Sequence, residues 1–261
     1  MVRARGIWFV VALTLGGTPV AAQSNLPMFL FVAKTGDDAN HCLLAEAPCL
    51  TFKAAISKAP YDKRVQINVS PGTYEEAISI VGDVHHRIEI YGPYKDEKCI
   101  DPTQVVITAP GKIAIWAEDH ATVITGCLTV GPATVGVAAR QFVILDVGNT
   151  RCDQVQICIS LTDRSVANCG GFLWVTSSGA YVATANRSDL NFACPVVINP
   201  GLTFTAFFHA ERQSTIDTTG SSFTNGIDGQ KWILSNSEVG PNCDVPGTGA
   251  TLKNFAIAPS C

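Results

Sequence analysis

The sequence predicts an all-β protein, a right-handed parallel β-helix whose N-terminal end is closed by a short capping α-helix. Short apolar runs recur along the chain, and many alternate between apolar and polar residues, as in 66–69 and 87–90. No stretch between these runs is long and periodic enough for a crossover helix, which argues against a doubly wound sheet or a (β/α) barrel. The runs cluster in windows of about 20–28 residues, a length typical of one coil of a solenoid.

The spacing of four cysteines favours a solenoid over a β-sandwich, which would also have short strands. Cys127 and Cys152 are 25 residues apart, and so are Cys169 and Cys194. Equivalent positions on stacked strands lie about 4.8 Å apart, within the Cα separation of roughly 4.4–6.8 Å that a disulfide needs. We therefore predict that both pairs join neighbouring coils, in a stack on the order of seven to nine coils.

The capping helix is predicted over residues 51–59. One face of this segment is apolar and consists of Phe52, Ala55, Ile56 and Ala59. Thr51 is suited to the N-cap position, and Pro60 ends the segment. A single short amphipathic helix before a series of strands is expected to cover the open apolar end of the coil.

The first 22 residues have the layout of a secretory signal peptide. Arg3 and Arg5 precede an apolar run over 7–15, and the small residues Val20-Ala21-Ala22 precede the expected cleavage site. The apolar run is too short to cross a bilayer of about 30 Å. We expect a protein secreted to the extracellular space or the periplasm, without membrane insertion after cleavage. Residues 23–261 are predicted to form one domain, with a Gly- and Pro-rich tail over about 239–261.

The charge balance argues against two classes of partner. Removal of Arg3 and Arg5 leaves 16 basic and 22 acidic residues, a net charge of −6. A mildly acidic chain without a stripe of Lys and Arg is poorly suited to nucleic acids or anionic membranes.

All ten cysteines follow residue 22, and an even number behind an export signal indicates disulfides. A metal site would instead need Cys-x-x-Cys pairs or nearby histidines. Besides the two inter-coil pairs, we predict that Cys42–Cys49 closes the loop before the helix, a bridge worth roughly 2–3 kcal/mol if unstrained. The remaining predicted pairs are Cys243–Cys261, which would fix the tail, and Cys99–Cys158, assigned by elimination.

Three segments of residues 29–80 resemble the start of the pectin lyase-like superfamily. They are Phe31-Val32-Ala33 with Thr35-Gly36-Asp37-Asp38, Leu50–Ile56, and Pro71-Gly72-Thr73-Tyr74-Glu75-Glu76. The resemblance implies a right-handed β-helix that either cleaves acidic polysaccharides, as lyases, hydrolases or esterases do, or binds them. Catalytic blocks of these families are absent from the chain, such as Gln-Asp and Gly-Arg-Pro-Trp of pectin methylesterases. No catalytic residue is therefore carried over from the resemblance.

The densest cluster of titratable residues in the coil region is Glu118, Asp119 and His120. Two carboxylates and an imidazole could supply a general acid and base for sugar chemistry. The alternative, which we favour, is a solvated turn, where Asp and His are common.

Asp37, Asp38 and Asn40 carry oxygens that could bind Ca²⁺. Their spacing does not match an EF-hand loop, and a polar turn is the favoured interpretation. No cofactor is otherwise predicted.

Tyr91, Tyr94 and Trp116 are candidate ligand-binding residues, because an exposed aromatic ring can stack on a sugar. The alternative, which we favour, is that these rings fill the interior or the flank of the coil. Phe207 and Phe208 are adjacent, so one of the two is expected to be exposed on a regular strand. His85, His86 and the segment His209-Ala210-Glu211 could supply a ligand or a proton carrier, but without a partner at metal spacing a surface role is favoured.

Three functions follow from these observations. The favoured one is a secreted β-helix protein that binds extracellular or cell-surface polysaccharide. The first alternative is a divergent polysaccharide lyase or hydrolase with Asp119 and His120 near its centre. The second is a structural or protein-interaction surface protein.

Overall fold

The computed structural model describes residues 26–82, 87–240 and 242–258. The predicted signal peptide, His85, His86 and Cys261 lie outside the described residues.

The helix is α1 Phe52–Ser57. The strands are β1 Met28–Val32, β2 Arg64–Val69, β3 Gly72–Glu75, β4 Ile78–Val81, β5 Arg87–Tyr91, β6 Tyr94–Lys95, β7 Lys98–Cys99, β8 Val105–Glu118, β9 Thr122–Arg140, β10 Ile144–Cys152, β11 Val155–Thr162, β12 Val166–Val175, β13 Gly179–Asn186, β14 Asp189–Asn191, β15 Pro195–Ile198, β16 Thr203–Glu211, β17 Thr215–Asp217, β18 Ser222–Phe223, β19 Asp228–Ser235, β20 Glu238–Val239 and β21 Ala250–Lys253.

The strands form a parallel β-solenoid of about seven turns, which confirms the predicted fold class. Three columns of stacked strands make up the solenoid, and we call them faces 1, 2 and 3. Face 1 contains β1, β2, β5, the first parts of β9, β10 and β12, then β14, β17 and β20. Face 2 contains β3, parts of β8, β9, β10 and β12, then β15 and β18. Face 3 contains β4, the ends of β8 and β9, then β11, β13, β16, β19 and β21.

The core runs along the axis of the coil and is built from stacked columns of apolar side chains. On face 1, Val65, Ile88, Val123 and Leu145 occupy one such column, and all four are fully buried. From Val65 onward, all steps but one between aligned residues on this face are 22–26 residues long, within the predicted window. The step from Ile88 to Val123 is 35 residues, because the antiparallel hairpin β6–β7 is inserted there.

The predicted capping helix is present, although it ends two residues earlier than expected. Thr51 is the N-cap, and its hydroxyl accepts a hydrogen bond from the backbone N–H of Ala54 at 3.1 Å. The carboxylate of Glu76 accepts two more, from the N–H groups of Phe52 (2.9 Å) and Lys53 (2.8 Å). These bonds satisfy donors that a helix start leaves without intrahelical partners. Among the described residues, no helix is long and apolar enough to cross a membrane.

The turns between face 3 and the following face-1 strand stack on one another, and we call this corner the stacked-turn edge. Asp119-His120, Gln141-Phe142 and Asp163-Arg164 each have two successive residues with φ between 54° and 64°. Their backbones are joined from coil to coil: the N–H of Phe142 donates to the carbonyl of Asp163 (3.1 Å), and that of Arg164 to Arg187 (2.6 Å). The ladder of hydrogen bonds therefore continues through the corner and holds the turns in place.

Two of the predicted disulfides are confirmed and two are wrong. Cys42–Cys49 and Cys169–Cys194 are bonded, with Cα atoms 5.0 and 5.5 Å apart. The predicted Cys127–Cys152 and Cys99–Cys158 pairs are replaced by Cys99–Cys127 and Cys152–Cys158.

The cause of the error is the length of the coil. The coil between β9 and β10 advances by 22 residues, not 25, so Cys152 lies beside Val130 and not beside Cys127. Cys243 is disulfide-bonded, and its predicted partner lies outside the described residues.

The expectation that Phe207 or Phe208 is exposed is wrong, since both are fully buried. The pairing of β16 with β19 shifts register between Thr203 and Ala206, so this strand does not alternate regularly. The two rings contact each other edge to face at 4.9 Å, and both contact Phe192. An aromatic cluster therefore fills this part of the core.

Candidate functional site

A cleft of about 660 Å³ lies over face 1, near the N-terminal end of the coil. Its floor is the outward side of β1, β2 and β5, and its wall is the start of the inserted hairpin β6–β7. The side chains that give it its chemistry are Phe31, Gln66, Asn68, Tyr91, Tyr94 and Glu97. We call it the face-1 cleft.

The strand register sets the floor of the face-1 cleft. Phe31 is aligned with Asn68, and Asn68 with Tyr91, so these residues form one outward column across three coils. Adjacent members of such a column are about 4.8 Å apart. Gln66 lies two residues before Asn68 on the same side of β2, and its Nε2 donates a hydrogen bond to Asn68 Oδ1 at 2.9 Å. The floor therefore presents two ordered amides between aromatic rings.

The hairpin positions the wall of the cleft. The ring of Tyr94 meets the ring of Tyr91 edge to face, with centroids 5.5 Å apart and an interplanar angle of 78°. The Nδ2 of Asn149 donates to the hydroxyl of Tyr94 at 3.3 Å. The Cys99–Cys127 disulfide ties the end of the hairpin to the coil beneath it. Tyr94 is thus held from both its ring and its hydroxyl.

A column of glycines continues the floor beyond Tyr91. Tyr91 is aligned with Gly126, then Gly148 and Gly170 follow on the next two coils. A Cβ on Gly126 would lie 2.6 Å from the hydroxyl oxygen of Tyr94, so the absence of a side chain lets the tyrosine lie against the backbone. The cleft therefore opens onto a track without side chains.

Beside Tyr91 lies a buried carboxylate, Glu89, which sequence analysis missed. Its side chain is fully buried although the strand pattern directs it outward. Arg64 bonds to it through Nε and Nη2 (the latter at 2.8 Å), and Arg87 Nε donates at 2.7 Å. The sequence signal that could have found it is Arg87, two residues before Glu89, with Arg64 about one coil length earlier.

Burial is the main cause that raises the pKa of Tyr91 to about 12, and the charge of Glu89 and the neighbouring Tyr94 add to it. Arg64 and Arg87 act in the opposite direction. Tyr91 is therefore a neutral phenol at physiological pH, able to donate as well as accept a hydrogen bond.

The structure brings together two of the three predicted ligand-binding residues. Tyr91 and Tyr94 both line the face-1 cleft. Trp116 is in β8 on face 3, aligned between Ser79 and Ala138, and does not line this cleft.

The predicted catalytic residues lie on the stacked-turn edge. Glu118 is the last residue of β8, and the side chains of Asp119 and His120 are 62% and 44% exposed. His120 Nδ1 is 3.2 Å from Asp119 Oδ1, and its ring stacks on Phe142 with centroids 5.0 Å apart. The geometry is that of a turn, which was the favoured interpretation, and a catalytic role for the three residues stays a prediction.

The residues considered for Ca²⁺ are engaged within their own loop. Asp37 Oδ1 accepts from the N–H of Ala39, and Asn40 Nδ2 donates to the carbonyl of Pro48. Asp38 accepts hydrogen bonds from the backbone N–H groups of Leu50 and Thr51 and from the Thr51 hydroxyl.

Burial raises the pKa of Asp38, but these bonds and the charge of Lys58 outweigh it, so the net pKa is below its ordinary value. Within the described part of the chain, no group of three or more His, Cys, Asp or Glu side chains could hold a metal ion. Ca²⁺ binding stays a prediction.

A comparison with protein-family models and with curated proteins found no match to this chain.

Proposed function

We propose that this protein is exported and binds polysaccharide in the face-1 cleft. The observation that supports this most directly is the combination of aromatic rings with amides and a carboxylate in one cleft. Sugars present C–H groups on the faces of their rings and hydroxyls around the edges. Phe31, Tyr91 and Tyr94 supply apolar ring surface for the former, and amide and carboxylate side chains supply hydrogen-bond partners for the latter.

The dimensions of the cleft agree with a ligand of a few sugar residues. Its volume of about 660 Å³ falls within the range of roughly 300–1,000 Å³ of small-molecule sites. The glycine column Gly126–Gly148–Gly170 extends from the cleft along the coil, so a longer chain can leave it without meeting side chains in that column. An extended polymer is therefore a better match than a compact ligand.

Export is supported by the disulfides. Four pairs are formed among the described residues, and disulfides persist mainly in oxidising compartments. The resemblance to pectin lyase-like β-helices, which is part of this proposal, also points to polysaccharide.

The proposal is tested by binding measurements with purified protein and immobilised polygalacturonate, alginate and a neutral glucan. Retention on at least one of them, lost or weakened about tenfold in Tyr91→Ala and Tyr94→Ala, is the expected result. Tyr61→Ala is the matched control, because Tyr61 is 67% exposed and lies outside the cleft. Failure of all three glycans, or retention that is equal in the cleft variants and the control, contradicts the proposal.

The second candidate function is cleavage of an acidic glycan, and the observation in its favour is the 3.2 Å contact between Asp119 and His120. Incubation of the same glycans, with and without Ca²⁺, should then release unsaturated products or new reducing ends. Turnover that disappears in Asp119→Ala and His120→Ala establishes catalysis there. Turnover that both variants retain places the chemistry elsewhere.

A further inference from the structure

The stacked-turn edge carries a second cleft, of about 400 Å³, with a strong local charge. It is lined by Arg140, Gln141, Phe142, Asp163, Arg164 and Arg187. Three guanidinium groups and one carboxylate line it, so the charges of the lining residues sum to +2 in a chain whose net charge is −4. We call it the arginine cleft.

Two of the arginines are held by one carboxylate. Arg187 Nη2 lies 2.6 Å from Asp163 Oδ1, and Arg140 Nε lies 3.3 Å from Asp163 Oδ2. A guanidinium has five N–H donors, and each of these contacts uses one of them. Arg140 and Arg187 are therefore oriented by Asp163 and keep donors for a further acceptor.

The third arginine is held by an aromatic ring. The guanidinium of Arg164 lies over the ring of Phe142, 5.6 Å from its centroid, and His120 stacks on that ring at 5.0 Å. Phe142 thus lies between the Arg164 guanidinium and the His120 imidazole, and its backbone is held by the hydrogen-bond ladder of the edge. These contacts orient the charged groups without a ligand, which lowers the entropic cost of binding.

The three arginines come from three successive coils, since Arg140 is in β9, Arg164 follows β11 and Arg187 follows β13. Their guanidinium planes can bond two oxygens of one oxyanion at a time. Among the residues that line the cleft, the excess of two positive charges matches a dianion.

We propose that the arginine cleft binds a tetrahedral oxyanion, sulfate or phosphate, as a free ion or as an ester group on a glycan. The site is separate from the face-1 cleft and shares none of its lining residues. A basic site of this kind lets a protein with a net negative charge bind an anionic group of a ligand. Because Arg140 and Arg187 are about half exposed, binding is expected to weaken as ionic strength rises.

Calorimetric titration of the purified protein with sodium sulfate and sodium phosphate at low ionic strength tests the proposal, with sodium chloride as the blank. Saturable binding is expected, weakened about tenfold or more in Arg164→Gln and Arg187→Gln. Arg187→Lys keeps the charge but not the planar guanidinium, so its affinity for the oxyanion should lie between that of the unaltered protein and that of Arg187→Gln. Arg151→Gln is the control, because it removes the same charge from face 2. No saturable binding by the unaltered protein, or equal loss in Arg151→Gln, overturns the proposal.

A sulfated oligosaccharide and its desulfated form distinguish the two sources of the oxyanion. Tighter binding of the sulfated form than of free sulfate indicates an ester ligand, and equal affinity indicates the free ion. If an arginine variant does not fold, NMR of the unaltered protein replaces it. Sulfate should then shift the backbone amides of residues 140–142, 163–164 and 187, and shifts confined to other residues overturn the proposal.

Discussion

Cys99, the last residue of the hairpin β6–β7, is bonded to Cys127 in the turn between faces 1 and 2, with their Cα atoms 5.1 Å apart. The bond links the wall of the face-1 cleft to the coil that supports it. Its removal in a Cys99→Ser/Cys127→Ser variant should release the hairpin and weaken glycan binding. From the 28-residue separation, the chain-entropy model also gives a loss of stability of about 3–4 kcal/mol.

The matched control is Cys152→Ser/Cys158→Ser, which opens a bridge with a separation of six residues away from the cleft. Its loss of stability should be smaller, about 2 kcal/mol, and its glycan affinity unchanged. Chemical denaturation and a binding isotherm on each variant measure the two effects. Equal glycan affinity in the two double variants would contradict the expectation that the Cys99–Cys127 bond holds the hairpin in its binding position.

A methyl group at residue 126 should displace the tyrosines of the cleft. In Gly126→Ala the new Cβ would lie 2.6 Å from the Tyr94 hydroxyl and 3.0 Å from the Tyr91 ring. We expect weaker glycan binding and a changed tyrosine signal in near-ultraviolet circular dichroism. Gly170→Ala, on the same column two coils away, would meet no atom within 4 Å and should leave the tyrosine signal unchanged. Identical spectra for Gly126→Ala and the unaltered protein would contradict the described packing.

Two carboxylates in this protein are each held by two arginines but differ in burial. Glu89 is fully buried between Arg64 and Arg87, whereas Asp163 is 31% exposed. Glu89→Gln should lower the free energy of unfolding by about 1–3 kcal/mol, because it removes the acceptor of charged hydrogen bonds in a dry site. Asp163→Asn should cost less than about 1 kcal/mol. Urea denaturation of both variants measures the two losses, and a larger loss of unfolding free energy in Asp163→Asn than in Glu89→Gln would contradict the prediction.

Two tyrosines make stability fall at alkaline pH. Burial is the largest cause that raises the pKa of Tyr74 and of Tyr91 from 10.0 to about 12. Between these values the unfolded chain has lost the phenolic proton and the folded protein has kept it, so the unfolded state binds fewer protons. The contribution is therefore fully present below pH 10 and is lost as the pH rises toward 12.

Absorbance of tyrosinate during an alkaline titration, combined with unfolding curves at each pH, measures this effect. Tyr91→Phe should remove one late-titrating phenol and reduce the slope of stability against pH above 10. Tyr61→Phe is the control, since that side chain is mostly exposed. A Tyr91→Phe variant with the unaltered slope would contradict the assignment.

The repeating features of the chain were predictable, and the interruptions were not. Alternation over 66–69 and 87–90 and the N-cap Thr51 depend on neighbouring residues, so the coil and its cap follow from the sequence. The Cys127 pairing failed because it assumed a constant coil length, which the inserted hairpin and the 22-residue step do not obey. Tyr91 and Tyr94 were identified as aromatics, but their meeting in one cleft depends on that insertion.

The 35-residue step between Ile88 and Val123 indicates where this architecture tolerates extra sequence. About thirteen additional residues leave the solenoid at a corner and return to it with the next strand in register, and the Cys99–Cys127 disulfide joins this insertion to the coil. Loop grafting at that corner should alter which molecules are recognised while the scaffold underneath keeps its shape.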